Sequence, residues 1–248
     1  MSMKKHETVM GMTAVVEIVG GTHESVEKVF AYFRKIDEQF SPYKETSEIS
    51  RINRGEILPE NYSTEVKEVL ALSEQTKQET DGFFNVYTRE KKLDPSGLVK
   101  GWAIQNASQM LQLEGYTDFW VEIAGDIQTA GKNEQDEDWS IGIRNPFKGD
   151  EMVKVVYVSA RGVATSGTYE RGTHIYNPHE DAPVESSVIS LTVIGPNVYE
   201  ADRFATAAYA MGEDGIMFLE HLPGFEAYAI DRNGRATMTS EFKAFLKE

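Results

Sequence analysis

The chain has 248 residues, no cysteine, and 40 acidic against 25 basic side chains, for a formal net charge of −15. The missing thiols exclude disulfides, thiolate metal sites and cysteine catalysis. So acidic a surface repels nucleic acid and anionic membranes, and neither is expected as a partner. The N-terminal MSMKKHETVMGMTAVVEIVG carries no signal-peptide apolar run, and no window approaches the ~20 apolar residues of a membrane span. A cytoplasmic protein without a membrane anchor is the expectation. A chain of this length buries roughly 70–75% of its unfolded surface, enough for a core that needs no staples. It reads as one domain over 1–248, either a single unit or two intimately joined lobes.

In chain order, Met10 to Val19 reads as an opening strand with Gly20-Gly21 as its turn. Thr22 then caps a helix to about Phe40, whose stripe is Val26, Val29, Phe30, Phe33 and Ile36. A hydroxyl-rich stretch follows, in which Ser47 to Asn53 fits one short helical turn or simply a loop. Ser63 to Thr80 is a serine-capped helix ended by Asp81-Gly82, and Phe83 to Tyr87 returns as an extended segment.

The stretch Leu93 to Gly131 is the densest in signals. Asp94-Pro95-Ser96-Gly97 is a turn, Ser96 can cap a helix, and Val99, Ala103, Ala107, Met110 and Leu111 recur at spacings of three and four. Gly115 suits the left-handed residue after a helix, and Phe119, Val121 and Ile123 alternate as a strand that ends in Ala124-Gly125-Asp126. Lys100 and Gly101 are placed in the first helical turn, where free N–H groups and the dipole favour an anion. A solvated lysine beside a tolerated glycine explains them equally, and Asp126 can be an ordinary turn residue.

Further strands are expected at Trp139 to Ile143, Val153 to Val158, Val163 to Ser166, Val188 to Ile194 and Ala227 to Ile230. Helices are expected at Glu200 to Met211 and from Ser240 onward. The pattern fits an α+β fold of mostly antiparallel sheet with packed helices. Asp202 and Thr206 stand four apart on one helix face. A carboxylate and a hydroxyl are hard oxygen donors suited to Mg²⁺, which needs few protein ligands. The same spacing also suits a first-turn aspartate beside a packed threonine. His174 is either a structural histidine or, if the cleft is catalytic, a proton shuttle.

Taken together, eight segments in order resemble the ApbE-type flavin transferases, the FAD:protein FMN transferases. They are Met10-Gly11-Met12-Thr13, Ser41-Pro42-Tyr43 with Ser47 to Asn53, Thr80 to Phe84, Gly97 to Ala103, Ala124 to Ile127, Thr165-Ser166-Gly167, His174 to Pro178, and Ala201-Asp202 with Thr206. The resemblance spans Met10 to Leu246. It implies a Mg²⁺-dependent enzyme that cleaves the FAD pyrophosphate, passes FMN to a Thr or Ser of an acceptor flavoprotein and releases AMP. Asp202, Thr206 and main-chain carbonyls of Val99 and Ala205 would hold the metal. Met10, Tyr43, Lys100, Gly125, Asp126, Thr165, Ser166, Gly167, His174 and Ile175 would line the FAD site, with His174 as acid/base.

The chain departs from the family pattern where Asn85, Gln105 and Asn177 replace acids and Glu180-Asp181 replaces Thr-Gly. The lipoprotein N-terminus of secreted members has no counterpart, so a cytosolic acceptor is expected. An FAD pyrophosphatase and a non-catalytic FAD-binding protein are the alternatives.

Overall fold

The computed structural model describes residues 1–167, 176–180, 182–184 and 186–247. Strands β1 (Ser2–Val9) and β2 (Met12–Val19) form a hairpin through Met10 and Gly11, whose φ angles of 53° and 70° fit the left-handed pair of a tight two-residue turn. Helices α1 (His23–Phe40), α2 (Glu48–Asn53), α3 (Thr64–Glu79) and α4 (Ser96–Leu113) follow. A second hairpin, β3 (Phe119–Ile123) and β4 (Asp126–Ala130), turns at Ala124 and Gly125 with φ of 51° and 85°. Next come β5 (Trp139–Asn145), β6 (Lys148–Val158), β7 (Gly162–Gly167), and the short strands β8 (Tyr176–Asn177) and β9 (Ala182–Pro183). The chain ends with β10 (Val188–Gly195), α5 (Val198–Ala210), α6 (Gly215–Glu220), β11 (Glu226–Asp231) and β12 (Ala236–Met238).

Eight of these strands make one antiparallel sheet in the order β1-β2-β3-β4-β7-β10-β11-β12. Period-two alternation assigns its two faces. On β7, β10 and β11, Ala164, Val193, Ala227 and Ala229 pack with α5 and α6. Their neighbours Val163, Ile194, Tyr228 and Ile230 pack against the separate β5–β6 hairpin. At the other end of the sheet, Ala14, Val16, Ile18, Phe119 and Val121 bury the apolar stripes of α1, α3 and α4. The α+β architecture expected from the pattern is the one observed.

Thr22 and Ser63 cap α1 and α3 as expected, and Ser47 caps α2. Thr22 Oγ1 accepts the Ser25 N–H at 3.1 Å while the Thr22 N–H donates to Ser25 Oγ at 2.9 Å, a reciprocal capping box. Ser47 and Ser63 accept the N–H groups of Ser50 and Val66 in the same way.

Several expectations are corrected. The strand expected at Met10 to Val19 is β2, it is preceded by β1, and Met10 belongs to the turn between them. β1 escaped the pattern because its half-buried positions include Lys5 and Glu7, which pair with Glu27 and Arg34 on α1. β4 and α6 were not anticipated, and the terminal helix is a single 3-10 turn, Phe242–Phe245. Phe83 to Tyr87 is irregular apart from a bridge between Tyr87 and Leu93. Ser96 does not cap α4. Asp94 Oδ1 accepts the Ser96 N–H at 3.1 Å and Pro95 occupies the cap position, so Lys100 and Gly101 lie beyond the first turn.

Candidate active site

The site begins where α4 crosses α5. Gly97 and Gly101, four apart on α4, face Thr206 and Asp202, four apart on α5. A Cβ on Gly101 would lie 2.7 Å from Asp202 Cβ and 2.9 Å from the Val198 carbonyl, so only a glycine permits this approach. The approach lets the Gly101 N–H donate to Asp202 Oδ2 at 2.8 Å and the Thr206 hydroxyl donate to the Gly97 carbonyl at 3.4 Å. The start of α5 is fixed from below. Asn197 caps it through the Glu200 N–H, and Gln128 Oε1 on β4 accepts the Val198 N–H at 2.8 Å.

A second carboxylate comes from the sheet. Asp126, the first residue of β4, is 1% exposed, and its Oδ1 accepts the Thr165 N–H of β7 at 3.1 Å. Lys100 Nζ stands 2.5 Å from Asp126 Oδ2, at ion-pair distance. Asp202 is 5% exposed. Burial, and then the charge of Asp126, push its pKa well above the usual carboxylate range, against the pull of Lys100 and the Gly101 N–H.

These groups border a cleft open to solvent. Of the residues expected in the site, Lys100, Thr165, Ser166, Gly167, Asp202 and Thr206 line it. Asp126 sits behind Lys100. Gly125 adjoins the lining residue Ala124 at the β3–β4 turn, where an added Cβ would meet nothing within 4 Å. Met10 packs on the core shared by β2, β3, α1, α3 and α4 and does not line the cleft, and Tyr43 is 91% exposed outside it. Val99 and Ala205 are buried and likewise absent from the lining; the main-chain oxygen that the helix crossing brings to Thr206 is that of Gly97. His174 and Ile175 lie outside the described residues.

The further lining residues, none of them expected as a site residue although several fall in the family-like segments, come mostly from the irregular wall. Phe83, Phe84, Asn85, Tyr87 and Thr88 line the cleft, as do Tyr176 and Pro178. Tyr176 anchors that wall by donating its hydroxyl hydrogen to the Tyr87 carbonyl at 2.6 Å. Asn53 at the end of α2 clamps its far end, donating to the Leu93 carbonyl at 2.9 Å and accepting the Leu93 N–H at 2.8 Å. Leu93 is buried, so Asn53→Ala strands its amide without a partner. The expected loss is about 1–2 kcal/mol, read as a lower urea midpoint with an unchanged slope.

The donors present fit Mg²⁺. Asp202, the Thr206 hydroxyl and the Gly97 carbonyl are oxygens, and the buried carboxylate of Asp126, paired with Lys100, adds a second acid to the site. Among the described residues no group of three His, Cys, Asp or Glu side chains could hold a metal. A site here must therefore take its remaining ligands from neutral oxygens, water or phosphate, as magnesium sites do.

A model of the ApbE family matches residues 10–90 and 87–229. The FAD:protein FMN transferase of Escherichia coli is 27% identical over 166 residues, covering 62% of this chain and 47% of that protein. The chain thus spans about half the length of that relative. The FAD:protein FMN transferase of Haemophilus influenzae is 24% identical over 289 residues, covering 91% of this chain and 83% of that protein. Flavin transferase ApbE from Vibrio cholerae shares the fold, with a TM-score of 0.86 at 22% identity over 99% of both chains. With most of its length matched by the family model, and with the fold in common, this chain belongs to the ApbE family.

Proposed function

We propose that the chain, as one unit over 1–248, is a Mg²⁺-dependent FAD:protein FMN transferase. The observation that carries the reading is the set of oxygens from Asp202, Thr206 and Gly97 beside Lys100 in one open cleft. A diphosphate bridging a flavin and an adenosine carries the concentrated negative charge that such a site compensates. Asp202, Thr206 and the Gly97 carbonyl would hold the cation. When bound, Mg²⁺ supplies charge neutralisation on the pyrophosphate oxygens. Lys100 adds a fixed positive charge at the same wall, and Ala124 with Thr165 to Gly167 offers backbone along the ligand.

The nucleophile is the hydroxyl of a Thr or Ser on an acceptor flavoprotein, so the chain needs none of its own. That oxygen bonds to the riboflavin-side phosphorus, the anhydride bond breaks, and AMP leaves with the bridging oxygen. The hydroxyl proton goes to a base. His174 is proposed for that role on the family resemblance alone. Positioning and electrostatics supply most of the rate in such transfers. A cytoplasmic acceptor is part of the proposal. Among the described residues, no helix is long and apolar enough to cross a membrane.

The test is AMP release from FAD, followed by chromatography with magnesium or with a chelator. Release that needs both magnesium and an acceptor supports the transferase. Release without an acceptor indicates a pyrophosphatase, and intact bound FAD indicates a binding protein. Because the site is read as one built around the diphosphate, FAD should bind at least about tenfold more tightly than FMN, about 1.4 kcal/mol. Fluorescence titration checks this, and equal affinities contradict a site for the whole dinucleotide.

A further inference from the structure

We infer that Lys100 is a built-in counter-cation, which holds the Asp126–Asp202 carboxylate pair together in the metal-free chain and competes with the divalent cation for it. The inference rests on reading Asp202 as a metal ligand. Asp126 and Asp202 are 1% and 5% exposed, and like charges at such burial repel strongly unless a cation is supplied. The adjacent residues Lys100 and Gly101 divide that work. Gly101 sends its N–H to Asp202, and Lys100 sends its ammonium to within 2.5 Å of Asp126 Oδ2.

Arg203, beside Asp202 in the chain, does not contribute. Its guanidinium is committed to Thr76, Glu79 and Glu200, across α5 toward α3. Lys100 also lines the cleft, so a cation that enters it meets the ammonium and the carboxylate pair together. A divalent cation arriving at Asp202 meets a pair already neutralised in part, so its affinity is held down by the lysine.

A lysine that merely packs predicts something different from a competing cation, and Lys100→Met separates them. Binding is measured with Mn²⁺ alone, free Mn²⁺ being counted by electron paramagnetic resonance. Melting is followed in chelator and in saturating Mg²⁺. Removing the ammonium should tighten Mn²⁺ binding by about tenfold or more, as expected for a unit charge lifted from a partly buried site. It should also lower the melting temperature in chelator, with most of the loss recovered in Mg²⁺. Lys100→Arg should stay near wild type in both measurements.

Should Lys100→Met fold poorly, the double variant Lys100→Met/Asp126→Asn removes both charges and should melt near wild type in chelator. Unchanged or weaker Mn²⁺ binding by Lys100→Met, or an equal melting loss with and without Mg²⁺, overturns the inference. So does a double variant that melts no higher than Lys100→Met. Failure of the metal reading itself shows elsewhere: a wild-type chain that binds no Mn²⁺, or Asp202→Asn that binds it like wild type, overturns both.

Discussion

Asp202→Asn is expected to lower magnesium-dependent FAD turnover by about 10²–10³ while leaving the fold intact. The substitution keeps shape and keeps an oxygen to accept the Gly101 N–H, which now meets Asp202 Oδ2 at 2.8 Å. What it removes is the charge that holds the cation where the pyrophosphate oxygens develop negative charge. Stability should move the other way in chelator. A carboxyl whose pKa is raised by burial binds its proton more tightly folded than unfolded. Its contribution is therefore fully present at acid pH and is lost as pH rises from the ordinary value of 3.8 through the raised one. Wild type in chelator should lose melting temperature across that window, and Asp202→Asn should flatten the dependence. Melts at several pH values, each with chelator and with Mg²⁺, read both effects. Wild-type turnover by Asp202→Asn at low magnesium would place the metal elsewhere.

Gly101→Ala is the second variant with a large expected effect, and two opposing magnitudes decide its sign. Helix propensity alone favours alanine over glycine by about 1 kcal/mol in a helix interior. Against that, the new methyl would stand 2.7 Å from Asp202 Cβ and 2.9 Å from the Val198 carbonyl, and neither is the end of a flexible side chain. Overpacking of this kind costs about 1–3 kcal/mol, so the net result is a less stable chain with α4 and α5 forced apart. Displacing Asp202 by even about 1 Å should lower turnover by about 10². Gly97→Ala is the internal control. Its methyl would meet Thr206 Cγ2 at 3.3 Å and the Phe84 ring at 3.4 Å, and side chains can give where backbone cannot. It should melt near wild type, and urea unfolding of the two variants in parallel checks the contrast.

How far the sequence was legible follows from which signals are local. Thr22 and Ser63 announced helix starts because a cap is made by a side chain three residues from its partner. β3 and β10 were visible through alternation. β1 was not, because Lys5 and Glu7 occupy half-buried positions and only α1, some twenty residues away, shows why they are tolerated. Within the site, Asp202 and Thr206 were legible as a spacing on one helix. Their pairing with Gly101 and Gly97 was not, since it arises from a helix crossing about a hundred residues apart in sequence. The ion pair of Lys100 with Asp126 was hidden for the same reason. The helix start had instead suggested that Lys100 served an anion in the first turn. The wall from Phe83 to Thr88 carries no periodicity at all, and Asn53 and Tyr176 hold it by contacts that only the fold brings together.

The most direct test of the account is mass spectrometry of candidate flavoproteins coexpressed with this chain. The account predicts an acceptor that gains one FMN through a phosphoester to a Thr or Ser, matched by AMP release in the purified reaction. The gain should vanish when Asp202→Asn replaces the wild-type chain. FAD that stays intact with acceptor and magnesium present, or a flavin adduct formed equally well by Asp202→Asn, would contradict it.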